Sequence, residues 1–581
     1  MAEKFIDMYT NEGNLLSGTP WNCYPRPQMR RNSFFNLNGM WDFALSNGDG
    51  FPSVYTDRIL VPFPPQSLLS GIHRHCPEES SLYYRKIFSL PQDFCKGRVL
   101  LHMGAADQLA QVYLNGRYVG SHVGGYEHFS FDITEFLLSE NTLIIRVSDK
   151  MSSNVLPYGK QRENRGGMWY TPVSGIWQTV WLESVPDKYI KDISIETGED
   201  FAVITILGDV PDGTVTVAAP EGALAVPLTG GCAHIKLAYP HLWSPEDPYL
   251  YEFSVIAGED RVSSYFALRT LTTEYINGIP RLCLNHKPYF FHGVLDQGYW
   301  SDGLFTPAAP SLYEKDILSM KDLGFNTLRK HIKIEPEIFY YECDRLGMIV
   351  FQDMVNNGDV NFLRDTALPT IGFKKRKDAG MHKDTKTRDA FRDSMEKTVL
   401  QLKNHPCICY WTIFNEGWGQ FESTKMYRFL KKLDASRFIA TVSGWFKGGE
   451  SDVTAEHVYF KPFRMKKAEN PLVLSEFGGY AFSTEGHVFN PNNDYGYRKY
   501  NDREKYVKGL VALYENEIIP AVKKGLCGSV YTQLSDVEDE VNGLMSYDRK
   551  VQKVMPCEFS HIAERLREEI ENLEIYGSEE E

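Results

Sequence analysis

The chain has 581 residues, with 62 Lys+Arg against 76 Asp+Glu for a net charge of −14, and 43% hydrophobic residues. This apolar content can fill more than one core and excludes disorder for the chain as a whole. The acidic balance argues against a general nucleic-acid or anionic-membrane binder, and no apolar run approaches the roughly 18 residues of a transmembrane helix.

Length alone gives an expectation of roughly four domains, or fewer if one is a barrel. Residues 1–186 carry short alternating strands, among them LYYRKIFSL (82–90), QVYLNGRYVG (111–120), NTLIIRVSD (141–149) and GIWQTVWLE (175–183). Asn115-Gly116 inside such a pattern is a strong two-residue hairpin signal. An all-β sandwich is expected here. Residues 187–275 continue with β-branched strands (DISIET, AVITIL, GTVTVAA) and no helical period, a length suited to one immunoglobulin-like β-sandwich.

From residue 276 to 581 the rhythm becomes strand, helix, strand. The expected strands are PYFFHGV (288–294), NTLRKHI (326–332), MIVFQDM (348–354), CICYWTIFNE (407–416), FIATVSGW (438–445), AEHVYF (455–460), PLVLSEFG (471–478) and GSVYTQL (528–534). Ser311 with Glu314 reads as a capping box opening the first helix, which Gly324 ends, and Pro336 opens the second. Near-continuous apolar runs suit strands buried on both faces. Eight βα units in about 290 residues indicate a (β/α)8 TIM barrel. The fold class is therefore multidomain β plus α/β.

A TIM barrel does its chemistry at the C-terminal ends of its strands. Read in order, those ends carry Arg329 and His331, Asp353, Asn415-Glu416, Trp445, His457 and Tyr459, Glu476, and Tyr531 with Asp536 and Glu538 beyond. Glu416 and Glu476 each close a strongly apolar run, where an ionisable group is expensive unless it serves a purpose. On strands 4 and 7 they face each other across the barrel mouth. Two such carboxyls, about 5–5.5 Å apart, are what retaining glycoside hydrolysis requires.

NHPCICYWTIFNEGWG, LSEFGG and RKHIKIEP resemble the acid/base strand, nucleophile strand and strand 2 of glycoside hydrolase family 2, which includes β-galactosidases, β-glucuronidases and β-mannosidases. NSFFNLNGMWDF and VYLNGRYVGSHVGGYEHFSFDIT resemble that family's N-terminal sugar-binding jelly roll, and VSGIWQTVWLE its exit strand. The resemblance covers almost the whole chain. It implies Glu416 as acid/base, Glu476 as nucleophile, Asn415 at the sugar 2-hydroxyl, Arg329 orienting the nucleophile and Tyr459 beside it. Tyr531 falls where the family often has a sugar-stacking tryptophan. Arg329 would keep Glu476 ionised, and Glu416, flanked by Trp411 and Trp418, has surroundings suited to a proton donor.

His331 stands two residues after Arg329, where many members have a histidine at three. The lysine with which β-glucuronidases read the substrate carboxylate has no counterpart near EVNGLMSYDRK. Asp353 matches one ligand of a magnesium site known in some β-galactosidases, but Val355 occupies the histidine position, so no metal or other cofactor is expected. A β-galactoside is the leading substrate, on family frequency and the missing lysine. A β-glucuronide, mannoside or arabinoside is the alternative, as is a non-catalytic carbohydrate-binding protein. The expected partner is carbohydrate, with a homo-oligomer in keeping with the family.

Weaker signals have plainer readings. Trp418, Trp445, Trp300 and Phe446 lie near strand ends, where sugar rings stack on aromatics and core packing also operates. His73, His75 and Cys76 have metal-ligand types without a second cluster. FKKRK (373–377) with Lys383, Lys386 and Arg388 reads as a solvated loop after strand 3. MAEKFIDMYTNEG shows no signal peptide, and ten cysteines lack framework spacing, so a cytoplasmic location is expected.

Overall fold

A computed structural model describes residues 5–48, 50–361, 363–370, 373, 378 and 383–577. Lys374–Lys377 of the basic loop lie outside the described residues. The first sandwich packs a six-stranded antiparallel sheet on a four-stranded one. Asn141–Ser148 alternates buried and half-buried residues along its whole length, so one face feeds the core and the other does not. The core between the sheets is apolar, with Trp41, Phe43, Leu101, Val112 and Ile145 among its members. Asn115 and Gly116 turn Leu109–Leu114 into Arg117–Val123, and both have positive φ (52° and 78°), as this tight hairpin demands.

The second sandwich pairs Asp192–Thr197, Phe201–Leu207 and Cys232–Lys236 in one sheet against a four-stranded sheet containing Gly213–Ala219 and Tyr251–Ala257. Arg31 ties the two sandwiches together by pairing with Glu183 and Asp260, both at 2.9 Å. All ten cysteines are free.

The third region is the barrel. Its strands are β1 (Phe291–Asp296), β2 (Thr327–Lys330), β3 (Ile349–Asp353), β4 (Ile408–Phe414), β5 (Phe438–Val442), β6 (Thr454–Val458), β7 (Leu472–Gly478) and β8 (Leu526–Thr532). They form one parallel eight-stranded sheet in the order 5-4-3-2-1-8-7-6. Across the remaining seam the Gly444 N–H donates to the Ala455 carbonyl at 3.2 Å. Every residue of β3, β4, β7 and β8 is buried, which is why these segments read as near-continuous apolar runs. Below the mouth the interior is filled by Phe291, Phe351, Tyr410 and Phe438, with Phe351 stacked on Tyr410 at 4.2 Å.

One local expectation fails. Ser311 is the first residue of the helix Ser311–Asp322, not its cap; Pro310 holds the cap position with helical dihedrals and no side-chain capping bond. A serine N-cap needs extended backbone, and the preceding proline already carries the chain into the helix. Pro336 opens the next helix as expected, and Gly347, in the left-handed conformation, closes it.

Candidate active site

The barrel mouth holds a cavity of about 290 Å³. Glu416, Asn415, Glu476, His331, Tyr459, Trp445 and Trp418 line it, which brings seven of the ten expected site residues to its surface. Arg329 and Asp353 lie just beneath, both fully buried.

Arg329 organises this layer. Its Nη1 donates to Glu476 Oε1 at 2.8 Å and to the Ser475 carbonyl at 3.0 Å. Its Nη2 donates to Asn415 Oδ1 at 2.8 Å, and its Nε to Asp353 Oδ1 at 3.0 Å. The guanidinium fork thus joins β2, β3, β4 and β7, with two carboxylates compensating its buried charge. The Asn415 carbonyl oxygen also accepts from Ser443 at 3.1 Å, so its amide N–H groups are the ones left to meet a hydroxyl. Asp353 additionally accepts from His331 Nδ1 at 2.9 Å. It positions Arg329 and His331 and does not line the cavity.

His457 is the residue whose role the strand-end reading missed. Its Nδ1 lies 3.0 Å from Glu416 Oε1 and 3.4 Å from Glu476 Oε2, between the two carboxyls. Its Nε2 is 3.4 Å from Arg329 Nη1, which can only donate, so Nε2 accepts and Nδ1 carries the proton. Tyr459, two residues on and therefore on the same strand face, donates to Glu476 Oε2 at 2.5 Å.

Glu416 has φ +49°, in the left-handed region costly for a residue with a Cβ. Its N–H donates to Ser443 Oγ at 3.3 Å. Gly444 makes room for the pair: at φ +81° an added Cβ would lie 3.0 Å from His457 Nδ1 and 3.3 Å from Glu416 Cγ.

The electrostatics keep Glu476 ionised. Burial works to raise the Glu476 carboxyl, but His457, Arg329 and the Tyr459 hydroxyl outweigh it and hold it down to about 2. Burial, then the neighbouring Lys160, push the His331 imidazole down to about 4. A depressed carboxyl stabilises the fold fully above its ordinary value and ceases to do so as pH falls through the folded value. The drop from 4.5 to about 2 corresponds to about 3 kcal/mol, lost between those pH values. Urea unfolding from pH 5 down to pH 2.5 checks this: wild type should lose stability more steeply than Glu476→Gln.

Two aromatics depart from expectation. Tyr531 does not reach the cavity. It is fully buried behind β8, accepts the Tyr480 N–H at 3.2 Å and packs on Phe477. The next residue, Thr532, faces the cavity, and alternation along a strand sends its neighbour outward. Trp411 likewise points away, donating to Asp434 at 2.9 Å, because Tyr410 faces the barrel interior. Trp300 lies under Arg549, and Phe446 is buried off the cavity wall. His75 pairs with Glu163 at 3.0 Å and Arg74 with Asp57 at 2.7 Å. Among the described residues the group whose donor atoms converge as metal ligands would is Glu416, His457 and Glu476.

The rest of the wall comes from places a strand-end reading does not reach. The first sandwich sends in Lys160 and Met168. Trp169, beside Met168, stacks on Trp418 at 5.3 Å. Tyr495 and Tyr497 arrive from the long connection after β7, with Tyr497 stacked on Tyr459 at 3.8 Å. Gln297 follows β1 and Glu540 follows β8.

Three domain descriptions match the chain: glycosyl hydrolases family 2 sugar binding domain over residues 70–186, glycosyl hydrolases family 2 over 191–269, and glycosyl hydrolases family 2 TIM barrel domain over 279–557. The chain belongs to glycoside hydrolase family 2. Among family 2 relatives, a β-galactosidase of Thermoanaerobacter pseudethanolicus is 25% identical over 63% of this chain and 49% of its own length. A β-glucuronidase of Felis catus is 25% identical over 75% of this chain and 72% of its own. The chain thus spans about half the length of the first of these. A solved β-glucuronidase of an uncultured Clostridium superposes with a TM-score of 0.72 at 19% identity, covering 93% of this chain and 99% of that one. A family 2 β-galacturonidase of Eisenbergiella tayi gives 0.67 at 18% identity, covering 94% and 99%. The jelly roll, immunoglobulin-like sandwich and TIM barrel are the architecture of this family.

Proposed function

We propose that this chain is a retaining exo-β-glycosidase acting by double displacement. The observation that carries the reading is the meeting of Glu416 and Glu476 on His457 Nδ1, with the three donor atoms within 4.8 Å of one another. Carboxyls this close leave no room for the intervening water an inverting enzyme needs and suit direct attack by one of them.

Glu476, held ionised, attacks the anomeric carbon while Glu416 protonates the departing oxygen. Water then enters where the aglycone left, Glu416 takes its proton, and the sugar departs with retained configuration. The Asn415 amide meets the sugar 2-hydroxyl. His457 Nδ1 donates to whichever carboxylate bears charge: Glu476 before attack, Glu416 after proton transfer. These steps use no metal; an ion on Glu416, His457 and Glu476 would occupy both working carboxylates. The walls contributed by Trp418, Trp445 and the Tyr459–Tyr497 stack enclose one terminal sugar.

Neutral β-galactosides and acidic β-uronides are the sugars to compare, since relatives of both kinds match the chain. Initial rates on p-nitrophenyl β-galactoside, β-glucuronide, β-galacturonide, β-glucoside and β-mannoside decide between them. One sugar should exceed the others in kcat/KM by at least about tenfold. No cleavage of any would leave a non-catalytic carbohydrate-binding protein as the better reading.

A further inference from the structure

Lys160 is the one lysine or arginine among the described residues that line the cavity. It is half-buried, and among the described residues its ammonium makes no hydrogen bond and no ion pair within 4 Å. The Tyr170 ring lies beneath it and its charge acts on the Glu540 carboxyl without a direct bond, so its N–H donors are left for a ligand in the cavity.

Its position is fixed by the backbone. The Lys160 carbonyl accepts the Tyr170 N–H at 3.0 Å, and the Tyr158 N–H donates to the Asn356 carbonyl at 3.0 Å. Between them, Gly159 (φ +72°) lies so close to the barrel that an added Cβ would sit 2.9 Å from Tyr126 Oη and 3.1 Å from the Ile332 carbonyl. The turn is clamped between sandwich and barrel, so the ammonium is presented to the cavity by rigid backbone.

The side of the cavity also matters. Lys160 Nζ lies 5.6 Å from the centre of the Tyr170 ring, whose hydroxyl donates to Glu540, beyond β8. Glu416 leaves β4, and in the strand order of the barrel β8 stands opposite β4. A sugar with its leaving oxygen at Glu416 therefore turns its non-reducing half, carbons 4 to 6, toward Lys160.

We propose that Lys160 is a specificity residue that pairs with a carboxylate at carbon 6 of the terminal sugar, making β-uronides the preferred substrate class. This rests on the exo-glycosidase reading and deepens it. The cation comes from the N-terminal sandwich, so charge recognition depends on the docking of two domains. The missing barrel lysine noted in the sequence then does not exclude an acidic sugar.

The test compares kcat/KM for p-nitrophenyl β-glucuronide and β-galacturonide with the matched β-glucoside and β-galactoside, in wild type, Lys160→Gln and Lys160→Arg. Wild type should favour a uronide over its neutral counterpart at least tenfold. That ratio should fall at least tenfold in Lys160→Gln and recover in Lys160→Arg. A wild type that prefers the neutral sugar, or a ratio unchanged in Lys160→Gln, overturns the assignment while leaving the glycosidase standing. Equal losses on charged and neutral substrates would give Lys160 a structural role only and overturn it too. If wild type cleaves only the β-mannoside, this assignment falls alone; if it cleaves neither that nor any of the four, the exo-glycosidase reading falls and takes this assignment with it.

Discussion

Glu476→Gln should lower kcat by more than about 10⁴-fold, beyond the 10²–10⁴ typical of losing acid–base catalysis alone, because no covalent intermediate can form. The amide is close to the carboxylate in shape, and its oxygen can still accept from Arg329 Nη1, which now sits 2.8 Å from Glu476 Oε1. Asp353 remains as the guanidinium's second carboxylate, 2.9 Å from Nη2. The variant should therefore fold, which circular dichroism and thermal unfolding would verify before the rate is read. In wild type, a 2-fluoro glycoside with a good leaving group should attach to Glu476, because the fluorine disfavours the positive charge that develops during breakdown of the intermediate. Peptide mapping that placed the label on any other residue would remove Glu476 from the nucleophile's role.

Glu416→Gln should cost about 10²- to 10⁴-fold in kcat/KM on substrates whose leaving group needs a proton, and markedly less on p-nitrophenyl or dinitrophenyl glycosides in the first step. The second step should slow for every substrate, since water loses its base. Azide, which needs no base, should then restore turnover and give a β-glycosyl azide. The variant keeps an oxygen for His457 Nδ1, 3.0 Å away, so the surrounding hydrogen bonds should hold. A uniform loss across leaving groups, without azide rescue, would mean that Glu416 acts through structure rather than as the proton donor. The two variants differ in kind: the nucleophile's loss is insensitive to the leaving group, and the acid/base's loss is graded by it.

Much of this site was legible before any tertiary structure. Glu416 and Glu476 stood out because each ends an apolar run with a charge. The strands carrying them are buried on both faces, so nothing but a task at the mouth justifies a carboxyl there. Arg329, Asn415 and Tyr459 followed from their places at strand ends, and the structure brings all three into contact with one another or with Glu476. Tyr531 and Trp411 were misplaced for one reason: a strand alternates its side chains, and a fully apolar run hides which residues face inward. Thr532 and Tyr410 take the inward positions, and their neighbours face the other way.

His457 was visible at the end of its strand but not in its role. Being the bridge between two carboxyls is a property of three strands at once, β4, β6 and β7. Lys160 carried no signal at all, since it lies about 250 residues from Glu416 in a turn of another domain.

The sequence by itself determined the three-part architecture, the eight-strand rhythm and the pair of glutamates, because periodicity, turn chemistry and the cost of burying charge act locally along the chain. The tertiary structure decided which side chains meet: Arg329 among its carboxylates, His457 between Glu416 and Glu476, and Lys160 at the far wall of the same cavity. These depend on barrel closure and domain docking, which bring together groups that no local pattern connects.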